Sequence, residues 1–195
     1  MAKKAIDRRG LGDATYASWL ERNDQALEGL RYGLELTDGW ALWPVVLPEP
    51  REEAARSVSY LGAWWAERVG GFLEPVPMDR FHARVAAPRV LYALCGEDDA
   101  GRHAAFGREF RPGPSPRLRA GDGVIVYHTG LAWTRSGDPV PAWRAALQSF
   151  NFMRDIMVRQ LGGPLLWAGP PDVIVETSDG AADLWSVREV PTVIR

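Results

Sequence analysis

The run Trp40-Ala41-Leu42-Trp43-Pro44-Val45-Val46-Leu47 constrains this chain more than any other segment. It is short for a helix and shows no polar–apolar alternation. Turn signals bound it, Asp38-Gly39 before and Pro48-Glu49-Pro50 after. A strand that is apolar on both faces belongs where both faces are covered, in the interior of a parallel sheet. The next residues read as a helix opening at Pro50, with Glu52 and Glu53 near its positive end. Ala54, Val58, Leu61 and Trp65 recur at helical spacing, and Gly70-Gly71 ends the run. Strand, short loop and helix open a βαβ unit.

The same alternation continues along the chain. Phe72 to Val76 reads as a second strand, while Val90 to Leu94 fits either a strand or a helix. Val124 to His128 is a β-branched run between Gly123 and Gly130. Asp138-Pro139 then caps a helix reaching about Leu161, with Trp143, Leu147, Phe150, Met153, Met157 and Leu161 inward. Pro164 to Ala168 is the next strand, Pro170-Pro171 opens a short helix or turn, and Asp183 to Val190 is expected to form an edge strand. Residues 1–37 read as an N-terminal helical arm: Asp13 caps a turn bearing Tyr16, Trp19 and Leu20. Asn23 and Asp24 interrupt its stripe before Leu27, Leu30 and Leu34 resume it. Residues 96–121, rich in Gly, Pro, Arg and acids, read as a long loop or insertion. The expectation is one α/β domain over residues 1–195, a three-layer, mostly parallel sheet with helices on both faces.

Composition excludes several functions. A chain of 195 residues buries roughly 70% of its unfolded surface and needs no staples. A net charge of −2 gives no general case for nucleic acid or an anionic membrane. A single cysteine, Cys95, excludes an internal disulfide and a thiolate metal cluster. No run approaches the ~20 apolar residues of a membrane span. The basic start, Met1 to Arg9, leads into no apolar signal core, so a cytoplasmic location is expected. Lysine stands only at Lys3 and Lys4. Beyond them there is no Schiff-base lysine and no phosphate-loop lysine, and arginine does not deprotonate to replace the first.

Parallel sheets bind ligands at the carboxyl ends of their strands, here Pro48 to Arg51, His128 to Gly130 and Gly169 to Asp172. A phosphate-binding loop needs glycine N–H groups and a lysine. Pro48-Glu49-Pro50-Arg51 offers two prolines and a carboxylate instead, and His128 stands where a metal-binding acid would close the second strand. His82, His103 and His128 lack metal spacing, no Gly-x-Ser-x-Gly elbow exists, and nothing local pairs Cys95 with a histidine. Asp172 and Glu176 resemble part of a metal-dependent nuclease motif, but Ser178 stands where its lysine belongs. Arg51, Arg135 and Arg188 are candidates to gather at the sheet edge around an anion. No catalytic residue, metal or cofactor is assigned.

The blocks Pro164-Leu165-Leu166-Trp167-Ala168, Pro170-Pro171 and Ala182-Asp183-Leu184-Trp185-Ser186-Val187-Arg188 together resemble a segment of bacterial conflict-system proteins of the STAND NTPase type, especially their inactive relatives. In that family an apolar strand, a proline pair, a short helix and an Asp-Leu/Phe-Trp motif with a following arginine succeed one another. Val124 to Leu131 resembles the family's preceding strand, and Trp40 to Leu47 falls where its first strand should be. The resemblance spans about residues 25 to 190, with specific motifs only in the last thirty or so. It implies a P-loop-like fold stripped of nucleotide motifs, serving as an adaptor or sensor in defence beside effector domains. This chain departs from the pattern in showing no effector or helical repeat, and residues 96–121 match nothing in it.

Three functions are therefore carried forward. The first is a non-catalytic module that binds a protein partner, with Trp64 and Trp133 as exposed anchors. The second is a small-ligand pocket or unorthodox enzyme at the strand ends, lined by Arg51, His128 and Asp172. The third is a small nuclease-like effector in which Asp172 and Glu176 converge on one metal.

Overall fold

The computed structural model describes residues 13–37, 40–77, 121–129, 147–148, 150–151, 154, 163–186 and 188–195. The expected insertion at 96–121, the segment at 90–94, Trp133, Arg135, Cys95, His82 and His103 lie outside them.

The described elements are α1 (Asp13–Leu36), β1 (Leu42–Val46), α2 (Arg51–Arg68), β2 (Leu73–Pro77), β3 (Gly123–Tyr127), β4 (Leu165–Gly169), α3 (Pro171–Gly180), α4 (Ala182–Trp185) and β5 (Thr192–Val193). The five strands form one parallel sheet in the order β2-β3-β4-β1-β5. From β1 the chain passes over β4 and β3 to β2; from β4 it passes the opposite way over β1 to β5. Right-handed crossovers running in opposite directions put their helices on opposite faces. This yields the three-layer α/β arrangement expected from the sequence.

Each layer is recognisable in the side chains. Trp43, Val45, Leu47, Ile125, Leu166 and Ala168 point to one face, where they meet Trp19, Leu27 and Leu30 of α1 and Val58, Leu61, Trp64 and Trp65 of α2. The alternate residues Leu42, Val124, Val126, Leu165 and Trp167 are buried too. They face α3, α4 and the helical residues Leu147 and Phe150, whose ring meets Trp167 edge-on at 4.8 Å. Each large side chain so buried contributes ~1.5–3 kcal/mol relative to exposure.

Two prolines shape the sheet. The Leu42 carbonyl accepts from Glu189 N–H and the Val46 carbonyl from Ile194 N–H, so the intervening Pro44 turns its missing donor toward the same neighbour. The chain beside β1 touches it at Arg188, leaves it around Val190-Pro191, and rejoins it at Thr192–Val193. The described residues among 183–190 are therefore not the expected edge strand: Ala182–Trp185 forms a helical turn, and strand pairing resumes at Thr192. At the other edge, Gly123 N–H donates to the Phe72 carbonyl, which places Pro75 of β2 with its donorless nitrogen on the open side.

The helix α1 runs for 24 residues through Asn23 and Asp24, as the helical reading of this segment expected. Asn23 is buried because the far end of the chain satisfies it. Its Nδ2 donates to the Trp19 carbonyl at 2.8 Å and the Arg195 carbonyl at 2.9 Å, and its Oδ1 accepts from Arg195 N–H at 2.6 Å. At the end of α2, Gly70 adopts φ +85°, and its N–H joins that of Val69 on the Trp65 carbonyl. No described helix is long and apolar enough to cross a membrane.

Candidate functional site

The crossover direction reverses between β1 and β4, so their carboxyl ends flank the position where open parallel sheets hold ligands. Its walls are Leu47 to Pro50 on one side and Pro170-Pro171 on the other. Pro48, Pro50, Pro170 and Pro171 have no N–H to offer a phosphate. The first turn of α2 turns its donors inward, since Glu53 N–H and Ala54 N–H both donate to the Pro50 carbonyl. On the other wall Asp172 Oδ1 accepts from Val173 N–H at 2.8 Å. The described crevice thus has four prolines and a carboxylate along its walls, with the Arg51 side chain at its edge, and no glycine-rich run of N–H groups to cradle a triphosphate.

Arg51, His128 and Asp172 all stand at this carboxyl edge, as their places after β1, β3 and β4 require. Arg51 is exposed on the first turn of α2, Asp172 half-buried on the first turn of α3, and His128 N–H donates to the Ala168 carbonyl at 3.0 Å. The other expectations fare differently. Arg188 does not join Arg51: it lies beside Leu42, at the opposite end of β1, with its guanidinium 5.0 Å over the Trp185 ring. Trp64 is not exposed. At 2% accessibility it packs against Trp65 inside the core, where the helical stripe of α2 carries it. Glu176 follows Asp172 by one helical turn, and no group of three His, Cys, Asp or Glu suited to a metal occurs among the described residues.

The cavities lie elsewhere, along α1. One of about 380 Å³ separates α1 from β5, with Arg22, Ala26, Gly29, Trp43, Val190 and Val193 among its lining residues. A second, of about 330 Å³, lies between α1 and the start of α2 and includes Arg22, Glu53, Arg56, Ser57 and Tyr60. Arg22 and Arg195 border both. The second cavity is walled by satisfied hydroxyls: Ser57 Oγ accepts from Trp19 Nε1, and Tyr60 Oη donates to Thr15 Oγ1.

Charge is distributed unevenly over α1. Arg31 is committed to Glu28 at 2.8 Å and to Glu35. The hydrogen bond from Arg31 holds the Glu28 carboxyl below its ordinary range, and the same bond raises the guanidinium's affinity for its proton. Among the described residues no carboxylate forms an ion pair with Arg22 or Arg56. Trp43 shows a comparable surplus. It is 6% exposed, yet its Nε1–H has no acceptor among the described residues. The benzene edge of its indole lies where a Cβ on Gly33 would stand, so Gly33 permits the helix to approach it. Sequence reading passed over Arg22, Gly29, Trp43 and Arg56 as sites. The available signal was the pair Gly29 and Gly33, one turn apart in a helix that otherwise favours larger residues.

No protein-family model matches the chain, and no curated protein resembles it in sequence. Among solved structures it is similar to the crystal structure of the DnaC helicase loader, with a TM-score of 0.41 and 9% identity, over 88% of this chain and 89% of that one. Similarity at that level speaks to neither family nor function.

Proposed function

We propose that this chain is a non-catalytic adaptor or sensor module that works by binding a protein partner. The supporting observation is the crevice between β1 and β4: the fold keeps the position where a ligand would sit, while prolines and a carboxylate line it. The absence of lysine beyond Lys4 agrees, because it removes the side chain that reaches phosphate oxygens. The setting we propose, a bacterial defence or conflict system, derives from the resemblance of residues 164–188 alone. Arg51, His128 and Asp172 would be marginal to such a role, and Trp133 is the anchor proposed from the sequence.

The test is affinity purification of the tagged chain from its native host, with mass spectrometry of co-purifying proteins and small molecules. The expected result is a stoichiometric protein partner without a retained nucleotide. A retained nucleotide or metal in the absence of any partner would overturn the proposal in favour of a ligand pocket at the strand ends.

A further inference from the structure

We propose that the groove between α1 and β5 binds an extended, acidic peptide segment of a partner protein, laid alongside β5. The inference rests on the interaction-module reading and names the surface and the chemistry of the partner.

The two edges of the sheet are unlike. On β2, Pro75 removes a donor from the open side, a common protection against strand addition. On β5, Ile194 N–H donates to the Val46 carbonyl, so Thr192 and Ile194 face β1. The intervening Val193 therefore turns its N–H and C=O outward, with the Pro191 carbonyl on the same side, while Arg195, next along that side, gives both its backbone groups to Asn23 of α1 and ends the open stretch. One donor flanked by two acceptors is a short template for an added strand, whose main-chain bonds supply affinity and whose alternate side chains supply specificity.

The groove beside this edge is shaped to receive such side chains. A Cβ built on Gly29 would meet nothing within 4 Å, so the helix surface there is open. Val190 and Val193, 78% and 49% exposed, form an apolar rim. Charge decides which peptide. Arg22 borders the groove and Arg56 the adjoining cavity, neither with an ion-pair partner among the described residues, so carboxylates are favoured over amines.

The experiment is fluorescence polarisation on the whole chain with three labelled heptapeptides: alternating valine and aspartate, alternating valine and lysine, and the first again with N-methylated backbone. The expected result is binding of the aspartate peptide at least ~10-fold tighter than either other. Two variants separate recognition from folding. Gly29→Leu fills the groove while improving helix propensity, so it should abolish binding without lowering Tm. Arg22→Glu should shift preference toward the lysine peptide. Failure of the wild type to bind or to discriminate overturns the inference, as does equal binding by Gly29→Leu. So does a dimer in sedimentation that Gly29→Leu abolishes, which would assign the groove to a second copy. A cellular partner held equally by wild type and Gly29→Leu overturns the groove and leaves the module reading standing; absence of any partner overturns both.

Discussion

Trp167 and Trp43 occupy neighbouring strands of the same sheet, point to opposite faces, and are treated in opposite ways. The Trp167 Nε1–H donates to Thr177 Oγ1 at 2.9 Å, and the Thr177 hydroxyl in turn donates to the Val173 carbonyl at 2.7 Å. Every polar group in that chain has its partner inside the fold, and α3 is thereby pinned to β4. Trp43 has comparable burial and no acceptor among the described residues. The difference is between two indoles and not two faces, since Trp19 and Trp65, on the same side of the sheet as Trp43, donate to Ser57 Oγ and the Gly121 carbonyl.

The largest effect should come from removing the bonded indole. Trp167→Ala deletes the ring that meets Phe150 and carries the bond to Thr177, and should destabilise the protein by ~3–5 kcal/mol in chemical denaturation. Thr177→Val is subtler, since it preserves shape and removes only the hydroxyl. It leaves the Trp167 N–H buried without an acceptor, and a loss of ~1–3 kcal/mol is expected. A loss well below that range would mean that Trp167 finds another acceptor, which would weaken the contrast between the two indoles.

The fold was readable because its signals are local and redundant. The apolar run Trp40 to Leu47 needs two covered faces wherever it lies, and Pro48 to Gly71 spells a strand-to-helix turn followed by an amphipathic helix. What failed were readings that depended on distant partners. Asn23 looks like a polar gap in the apolar stripe of α1 until the backbone of Arg195 arrives to bond with it and bury it, a contact 172 residues away in sequence. Trp64 was read as an anchor although it falls within a helical stripe, and it is buried because Trp65 and the sheet lie behind it. The edge strand was placed too early because Ala182–Trp185 closes into a helical turn and because Pro44 of β1 withholds a donor from the strand beside it, an effect that the edge segment's own sequence does not announce. Of the candidate site, sequence located the strand-end residues Arg51, His128 and Asp172 correctly along the sheet. It did not locate the groove, since Arg22, Gly29, Trp43 and Val193 meet only when β5 docks between β1 and α1.

The smallest expected effect is the most discriminating. Trp43→Phe keeps an aromatic ring against Gly33 and deletes the N–H that lacks an acceptor. Loss of ring volume costs stability, while removal of an unsatisfied buried donor restores some, so the net change should be under ~1 kcal/mol. Trp167→Phe removes the same atoms from a bonded indole and should cost clearly more, because Thr177 then loses its donor. Denaturation of the two variants side by side decides the matter. If they cost the same, the Trp43 N–H is already satisfied in the isolated protein, and the two indoles differ less than their hydrogen bonds suggest. If Trp43→Phe is nearly silent and Trp167→Phe is not, the Trp43 N–H contributes little to folding, as expected of a buried donor that has no acceptor among the described residues.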